Sequence, residues 1–386
     1  MFLYGIDAAT FAILRPWAEE GLLPNLARLM RDGSSGVLTS TIPASTPLAW
    51  SSMVTGVWPG KHGIYGFTKT KPGSYELTIP TSRDRRRPAI WNLLSDAGVP
   101  SVVVDVPFTY PPEPIQGVMV SGMGTPDVTR AFVHPAPLRE VLLRECGAFP
   151  LDVFYRGDVA EFLADARAAI DHRMRLVRFL HREVAWRFFM LVVTVTDRLQ
   201  HVLWKHIDPR HPLHDPVEAR RWLPGIRDVY RRLDESLGEV ESLLDDQTVL
   251  LVASDHGFGP LERSISLLHW LKGQGLAALG EEVWRFAPPA RAPKFRPRGP
   301  GRVTRRTDGR FTVEVRRPDQ FAGAVFRLTD LDPRRLYELR ATVSDATPYV
   351  QVEFDDLGRR EAPILGGGAV YRTTGRVTAL FQPRKP

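Results

Sequence analysis

The sequence predicts an α/β protein: a central, mostly parallel sheet flanked by helices, followed by a small C-terminal domain of β-sandwich type. Three observations carry this. Apolar runs with little alternation, the pattern of strands buried on both faces, recur from the N-terminus to about residue 254. Segments with helical periodicity lie between them, as in a sheet covered by helices. Past residue 310 the pattern changes to short runs separated by Pro, Gly and Asp, the mark of a small antiparallel domain. A chain of 386 residues accommodates one large domain and a companion of this size.

The strand-like runs are 2–6, 101–106, 117–121, 188–196 and 248–254, rich in Val, Leu, Ile and Phe. Helices are expected over 24–31, 89–97 and 159–184. The first two stop before or at Gly33 and Gly98. Ile226, Val229, Tyr230, Leu233, Leu237, Val240 and Leu244 repeat at spacings of three and four, which marks one buried helical face. Segments 67–88 and 122–180 interrupt the strand–helix alternation and read as cap insertions. The later runs, 311–315, 324–328, 336–343, 349–354 and 376–381, are the expected antiparallel strands. The expected organisation is therefore a catalytic domain over 1–286, a linker over 287–310 and a β domain over 311–386.

Charge and composition narrow the function. The net charge is +7. The segment 287–310 carries that whole surplus, eight basic residues from Arg291 to Arg310 against Asp308, among several Pro and Gly. It reads as an extended, solvated linker, or as a basic arm touching phosphate or an acidic partner. The remainder is neutral overall, which argues against a nucleic-acid protein. No apolar run reaches about 18 residues, so no membrane span is expected. The N-terminus reads as a first buried strand and not as a signal peptide, so a cytoplasmic location is expected. The single cysteine, Cys146, excludes an intrachain disulfide framework and a zinc cage built on cysteines.

Several strand candidates end in a potential metal ligand. Asp7 follows the first. Asp197 follows the run 188–196, with His201 four residues later. Asp255 and His256 follow the run 248–254. In open α/β sheets ligands bind beyond the carboxyl ends of strands. If the stretch from Asp197 is helical, the i, i+4 spacing puts Asp197 and His201 on one face. Taken singly, Asp7 reads as a helix N-cap, Asp255-His256-Gly257 as a turn, and Asp197 and His201 as surface decoration. Taken together they read as a carboxylate–imidazole set suited to zinc or another first-row divalent ion. Thr46-Pro47 is a strong helix start, with Thr46 as N-cap and Pro47 at the first helical position. Alone it is a cap. Beside a divalent ion, a hydroxyl at a helix N-terminus is also placed for phosphoryl chemistry.

These residues stand within longer motifs: Gly5-Ile6-Asp7; Thr46-Pro47; Thr55-Gly56-Val57-Trp58-Pro59-Gly60-Lys61-His62-Gly63-Ile64; Thr196-Asp197-Arg198-Leu199-Gln200-His201; and Ser254-Asp255-His256-Gly257-Phe258. Their order and spacing over roughly residues 1 to 275 resemble the alkaline phosphatase superfamily, and within it the type I phosphodiesterase/nucleotide pyrophosphatase family. The resemblance implies an alkaline-phosphatase-like fold and a metal-dependent phosphohydrolase, acting on phosphodiesters or phosphomonoesters, with a small phosphate-ester substrate. It implies Thr46 as the nucleophile that becomes phosphorylated. Asp7, Thr46, Asp255 and His256 would surround one metal, and Asp197 and His201 would hold a second. The ions would be zinc, with manganese as the other candidate.

The chain departs from the family pattern at two positions. Ser266 falls where the family supplies a third ligand to the second metal, a histidine, while His269 lies nearby out of register. Ala49 falls where nucleotide pyrophosphatases place a phosphate-binding Asn. The competing expectation is an inactive family member whose β domain binds a glycan or a protein. Sulfatase chemistry is not expected, because no Cys-x-Pro-x-Arg-like setting is present.

Overall fold

The computed structural model describes residues 1–71, 73–74 and 76–260 in full and, beyond 260, only the backbone of short strands. The chain divides into two units, Met1–Pro260 and Leu261–Pro386. The boundary expected at 286 thus falls inside the second unit.

In the first unit the order is β1 (Phe2–Ile6), α1 (Phe11–Glu19), α2 (Pro24–Asp32), α3 (Thr46–Thr55), α4 (Pro59–His62), β2 (Lys69–Thr70), β3 (Leu77–Thr78), α5 (Ile90–Asp96), β4 (Ser101–Val104), β5 (Gly117–Val120) and β6 (Val133–His134). It continues with α6 (Leu138–Cys146), α7 (Val159–Glu183), β7 (Phe188–Val193), α8 (Val195–Ile207), α9 (Pro216–Leu243) and β8 (Leu250–Ala253). Six strands form one sheet in the order β6-β5-β4-β7-β1-β8. All pairings are parallel except β5 with β6. The parallel strands therefore present their carboxyl ends to one edge, and β7, β1 and β8 are neighbours there.

Alternation along each strand splits the core into two layers. Phe2, Tyr4 and Ile6 of β1, with Phe189, Leu191 and Val193 of β7, face the larger layer, which holds residues of α1, α2, α7, α8 and α9. Leu3, with Phe188, Met190 and Val192, faces a smaller layer made with Trp50 and Val54 of α3 and Trp91 of α5. Both faces are covered, which explains why these strands read as continuous apolar runs.

Gly5 sets how closely α3 approaches the sheet. A Cβ there would lie 2.5 Å from Cη2 of Trp50 and 2.9 Å from Cγ2 of Val192. Gly5→Ala is therefore expected to lower stability by about 1–3 kcal/mol or more through overpacking, measured as a fall in the urea midpoint.

The structure revises several sequence expectations. The run 188–196 ends as a strand at Val193 and continues as α8 from Val195, so Asp197 is helical. The segment 122–180 contributes β6, α6 and most of α7 to the sheet and its flanking layer, whereas a cap was expected. Its side chains Phe132, Leu142, Phe162 and Ile170 are buried in the same core as Phe2 and Tyr4. The physical reason is the apolar stripe of α7, which needs a sheet face to bury it. The 67–88 segment holds a two-stranded hairpin, β2 with β3.

In the second unit the antiparallel pairs are Arg296–Arg298 with Gly323–Val325, Arg302–Arg305 with Phe311–Glu314, Tyr337–Val343 with Gly375–Phe381, and Val350–Val352 with Ala369–Tyr371. Trp284–Arg285 pairs parallel with Tyr337–Val343. The basic segment 287–310 is thus not a plain linker, since two stretches of it are strands. Each belongs to a two-stranded sheet in which both strands are edges, where Pro297 is tolerated. The expected sandwich packing of these pairs lies outside the described residues.

Candidate metal centre

The candidate carboxylate and imidazole ligands among the described residues stand just beyond β1 and β8 or on the first turns of the helix that follows β7, and Thr46 opens α3. Asp7 is the residue after β1 and is fully buried. Ala8 then takes a left-handed backbone (φ 56°), which only surrounding contacts sustain for a residue with a Cβ. Two such contacts are present. The Gln200 side-chain amide donates to the Ala8 carbonyl at 2.9 Å, and the Ala8 N–H donates to Asp255 Oδ1 at 3.2 Å. The Thr196 hydroxyl donates to the Asp7 carbonyl. Asp7 is not the cap of α1; that role falls to Thr10, which accepts from the Ala12 N–H.

The loop after β8 is held as firmly. Ser254 Oγ accepts from the Ala9 N–H at 2.9 Å and donates to the His256 carbonyl at 2.7 Å. The Ser40 hydroxyl donates to the Asp255 carbonyl at 2.6 Å. His256 Nδ1 lies 2.8 Å from the Gly257 carbonyl. That contact needs a proton on Nδ1, so in the neutral ring Nε2 carries the free lone pair.

Thr46 reaches the same place from the other layer. It is the first residue of α3, with Ser45 as N-cap and Pro47 second, one position later than the cap role expected from sequence. Its Oγ1 lies 3.4 Å from Asp7 Oδ1 and 3.2 Å from His256 Nε2. One turn on, Trp50 Nε1–H donates to Asp7 Oδ2 at 3.1 Å. His256 Nε2 is 3.5 Å from Asp7 Oδ1 and 3.4 Å from Asp255 Oδ2.

Asp197, on the first turn of α8, completes the cluster. Donor atoms of Asp7, Asp197 and His256 all lie within 4.8 Å of one another. His201, four residues on, has Nε2 3.3 Å from Asp197 Oδ1, with 62 % of its side chain exposed. Its ring meets Phe258 edge-on at 4.9 Å. The spacing expectation for a helical Asp197/His201 pair therefore holds. Ser266 and His269 lie outside the described residues.

The electrostatics are those of carboxylates crowded together in a buried place. Burial, then the carboxylates of Asp255 and Asp197, push the Asp7 carboxyl well above its ordinary pKa. Burial pushes Asp255 up to about 7, against the opposing pull of the Ala8 N–H. Asp197 Oδ1 and Asp255 Oδ2 are buried with no hydrogen-bond partner, although His201 Nε2 lies 3.3 Å from the first and His256 Nε2 3.4 Å from the second. Orphaned buried carboxylate oxygens are costly, and a hard or borderline divalent cation removes that cost. The donor set of carboxylate oxygens and an imidazole nitrogen fits such an ion.

Sequence reasoning did not single out the residues that hold the ligands in place: Trp50, Ser40, Ser254, Thr196 and Gln200. Trp50 could have been found from its i+4 relation to Thr46. Thr196 and Gln200 could have been found from their places beside Asp197. Ser40 gave no local signal.

A family model described as type I phosphodiesterase / nucleotide pyrophosphatase matches residues 1–331. The chain belongs to this family. Among solved structures, this family member is similar to the phosphonoacetate hydrolase of Sinorhizobium meliloti 1021, in complexes with phosphonoformate and with phosphonoacetate. In both cases the identity is 20 %, the TM-score is 0.51, and the match covers 76 % of this chain and 65 % of that one. The likeness is one of fold, and the chain spans under two thirds of the length of that hydrolase. No curated protein sequence matches it. Among the described residues no helix is long and apolar enough to cross a membrane.

Proposed function

We propose that this phosphodiesterase-family chain is a metal-dependent phosphohydrolase with Thr46 as its nucleophile. The observation that carries the reading is the convergence of Asp7, Asp197 and His256 donor atoms within 4.8 Å, beside the Thr46 hydroxyl. Asp7, Thr46, Asp255 and His256 are assigned to one divalent ion, and Asp197 and His201 to a second. Zinc is the first choice, because imidazole and carboxylate together suit it.

Divalent ions held by these residues would supply Lewis-acid charge that favours an ionised hydroxyl and a charged phosphoryl group. The chain's own residues supply position. α3 places Thr46 Oγ1 at a helix N-terminus, where backbone N–H groups and the helix dipole favour an anion. Thr46 Oγ1 gives up its proton to solvent and attacks phosphorus in line; the bond to the leaving-group oxygen breaks, that oxygen takes a proton from solvent, and the phosphoryl group passes to Thr46. Water then attacks the phosphothreonine, restoring the hydroxyl and releasing phosphate from a monoester or a phosphate monoester from a diester. Trp50 and the Ala8 N–H hold the Asp7 and Asp255 carboxylates in place throughout.

The test is turnover of p-nitrophenyl phosphate and bis(p-nitrophenyl) phosphate by the full chain loaded with Zn²⁺ or Mn²⁺. Turnover of either ester that disappears with a chelator and returns with metal is expected. Metal-loaded protein with no turnover of any phosphate ester or phosphonate would overturn the reading in favour of an inactive family member.

A further inference from the structure

Residues 58–87 form a surface that neither the ligand set nor the nucleophile uses. Trp58, Tyr65, Phe67, Leu77 and Ile79 are each between 49 and 66 % exposed. Single apolar residues on a surface are ordinary, but a group of large ones in one stretch marks a contact surface. The same stretch carries seven basic residues against two acidic ones, Glu76 and Asp84. Both acids are engaged, Glu76 by Lys71 and Asp84 by Lys69, and Glu113 holds Arg85. Lys61, Arg83, Arg86 and Arg87 are exposed and make no ion pair among the described residues.

Local contacts hold these groups together. Trp58 is the N-cap of α4, and Lys61 lies on that helix. Buried His62 fastens its end: Nδ1 accepts from the Ile64 N–H at 3.1 Å, and Nε2 lies 3.0 Å from Ser52 Oγ of α3. The Arg86 N–H donates to the His62 carbonyl at 2.9 Å. The Arg86 side chain lies over Gly63, where a Cβ would come within 3.1 Å of its Cδ. The Lys69–Asp84 pair ties the β2–β3 hairpin to the turn at Ser82–Asp84. Phe67 meets the Phe108 ring edge-on at 5.8 Å and still leaves half its surface in solvent.

The combination selects the partner. Free cations call for an anionic surface, and Trp, Tyr, Lys and Arg are the side chains that suit a lipid–water interface, with an apolar body and a polar tip. A single-stranded nucleic acid would use the cations and the aromatic faces but would leave Leu77 and Ile79 without a role. Acyl chains beneath a layer of headgroups take both. We propose that the 58–87 surface docks this chain on the anionic face of a lipid bilayer. Trp58, Leu77 and Ile79 enter the boundary between headgroups and acyl chains, and Lys61, Arg83, Arg86 and Arg87 lie at the lipid phosphates. The two contributions add, as stable attachment to a membrane surface requires more than one signal.

The test is co-sedimentation of the full chain with vesicles of phosphatidylcholine alone and of phosphatidylcholine with about 30 % phosphatidylglycerol. Binding to the anionic vesicles is expected to be at least about tenfold tighter than to the neutral ones, and to weaken about tenfold or more as salt rises from about 0.1 M to about 0.5 M. The combined variant Lys61→Glu, Arg83→Glu and Arg87→Glu is expected to lose about 100-fold or more of that affinity. Trp58→Ser with Leu77→Ser keeps every charge and is expected to lose about tenfold or more. All five side chains are exposed, so the urea midpoint is expected to stay at the wild-type value in both variants, and each variant serves if the other does not fold. No sedimentation with either vesicle, or equal sedimentation with both, would overturn the inference. Wild-type binding by both variants would assign the contact to the basic residues of 287–310 and overturn it too, as would tighter binding of a single-stranded oligonucleotide than of the anionic vesicles. The readout is binding alone, so the result is separate from the phosphohydrolase reading.

Discussion

Thr46→Ala is expected to lower kcat/KM on any ester the protein hydrolyses by about 1,000-fold or more, because no other described hydroxyl stands between Asp7 and His256. Thr46→Ser keeps a hydroxyl at the same helix position and is expected to retain part of the rate. Metal binding is expected to persist in Thr46→Ala, since Asp7, Asp197, Asp255 and His256 all remain. Steady-state kinetics and metal analysis check both points, and acid quenching during turnover is expected to trap phosphate on Thr46 in the wild type. Full turnover by Thr46→Ala would exclude the proposed nucleophile.

The second large effect concerns stability and metal together. Without metal, Asp7 and Asp255 hold their protons to higher pH in the folded chain than in the unfolded one. The folded state then binds more protons than the unfolded state above the ordinary carboxylate pKa, so stability falls as pH rises. The metal-free protein is expected to lose stability between about pH 5 and pH 8, on the order of a few kcal/mol, and to regain it on adding Zn²⁺. Asp7→Asn removes one of the clustered charges while leaving an oxygen for the Trp50 N–H. It is expected to flatten that pH dependence in the metal-free state and to weaken metal binding by about 100-fold or more, beyond the loss typical of an outer-shell residue. Urea midpoints across pH, with and without chelator, measure both. A metal-free wild type whose midpoint rises from pH 5 to pH 8 would contradict the charge cluster described above.

Much of this was legible in the chain itself. The strand 2–6 is observed with those bounds because all five residues are buried between two layers. Asp7 and Asp255 were legible because a carboxylate placed just after a parallel strand reaches the carboxyl edge whether that strand is central and buried, like β1, or an edge strand, like β8. The boundary near Asp197 was less clear, since the β-branched residues of 193–196 suit a strand while the chain actually enters α8 there. Local propensity loses to packing at such a junction. The supporting contacts were harder to see. Ser40 meets the Asp255 carbonyl across 215 positions of sequence, and nothing in the local pattern marks such a contact. The segment 122–180 was misread for the same reason: its flank position depends on burial against strands far away in sequence.

The central claim is that Asp7, Asp197, Asp255 and His256, with His201 alongside, cage divalent ions next to the Thr46 hydroxyl. The most direct measurement is anomalous diffraction at the zinc edge from crystals of the metal-loaded protein. The expected result is density within about 2.0–2.3 Å of the Asp7 and Asp255 carboxylates and His256 Nε2, with a second peak at Asp197 and His201. Zinc-loaded crystals with no anomalous peak at this edge, or with the metal bound elsewhere on the chain, would contradict it.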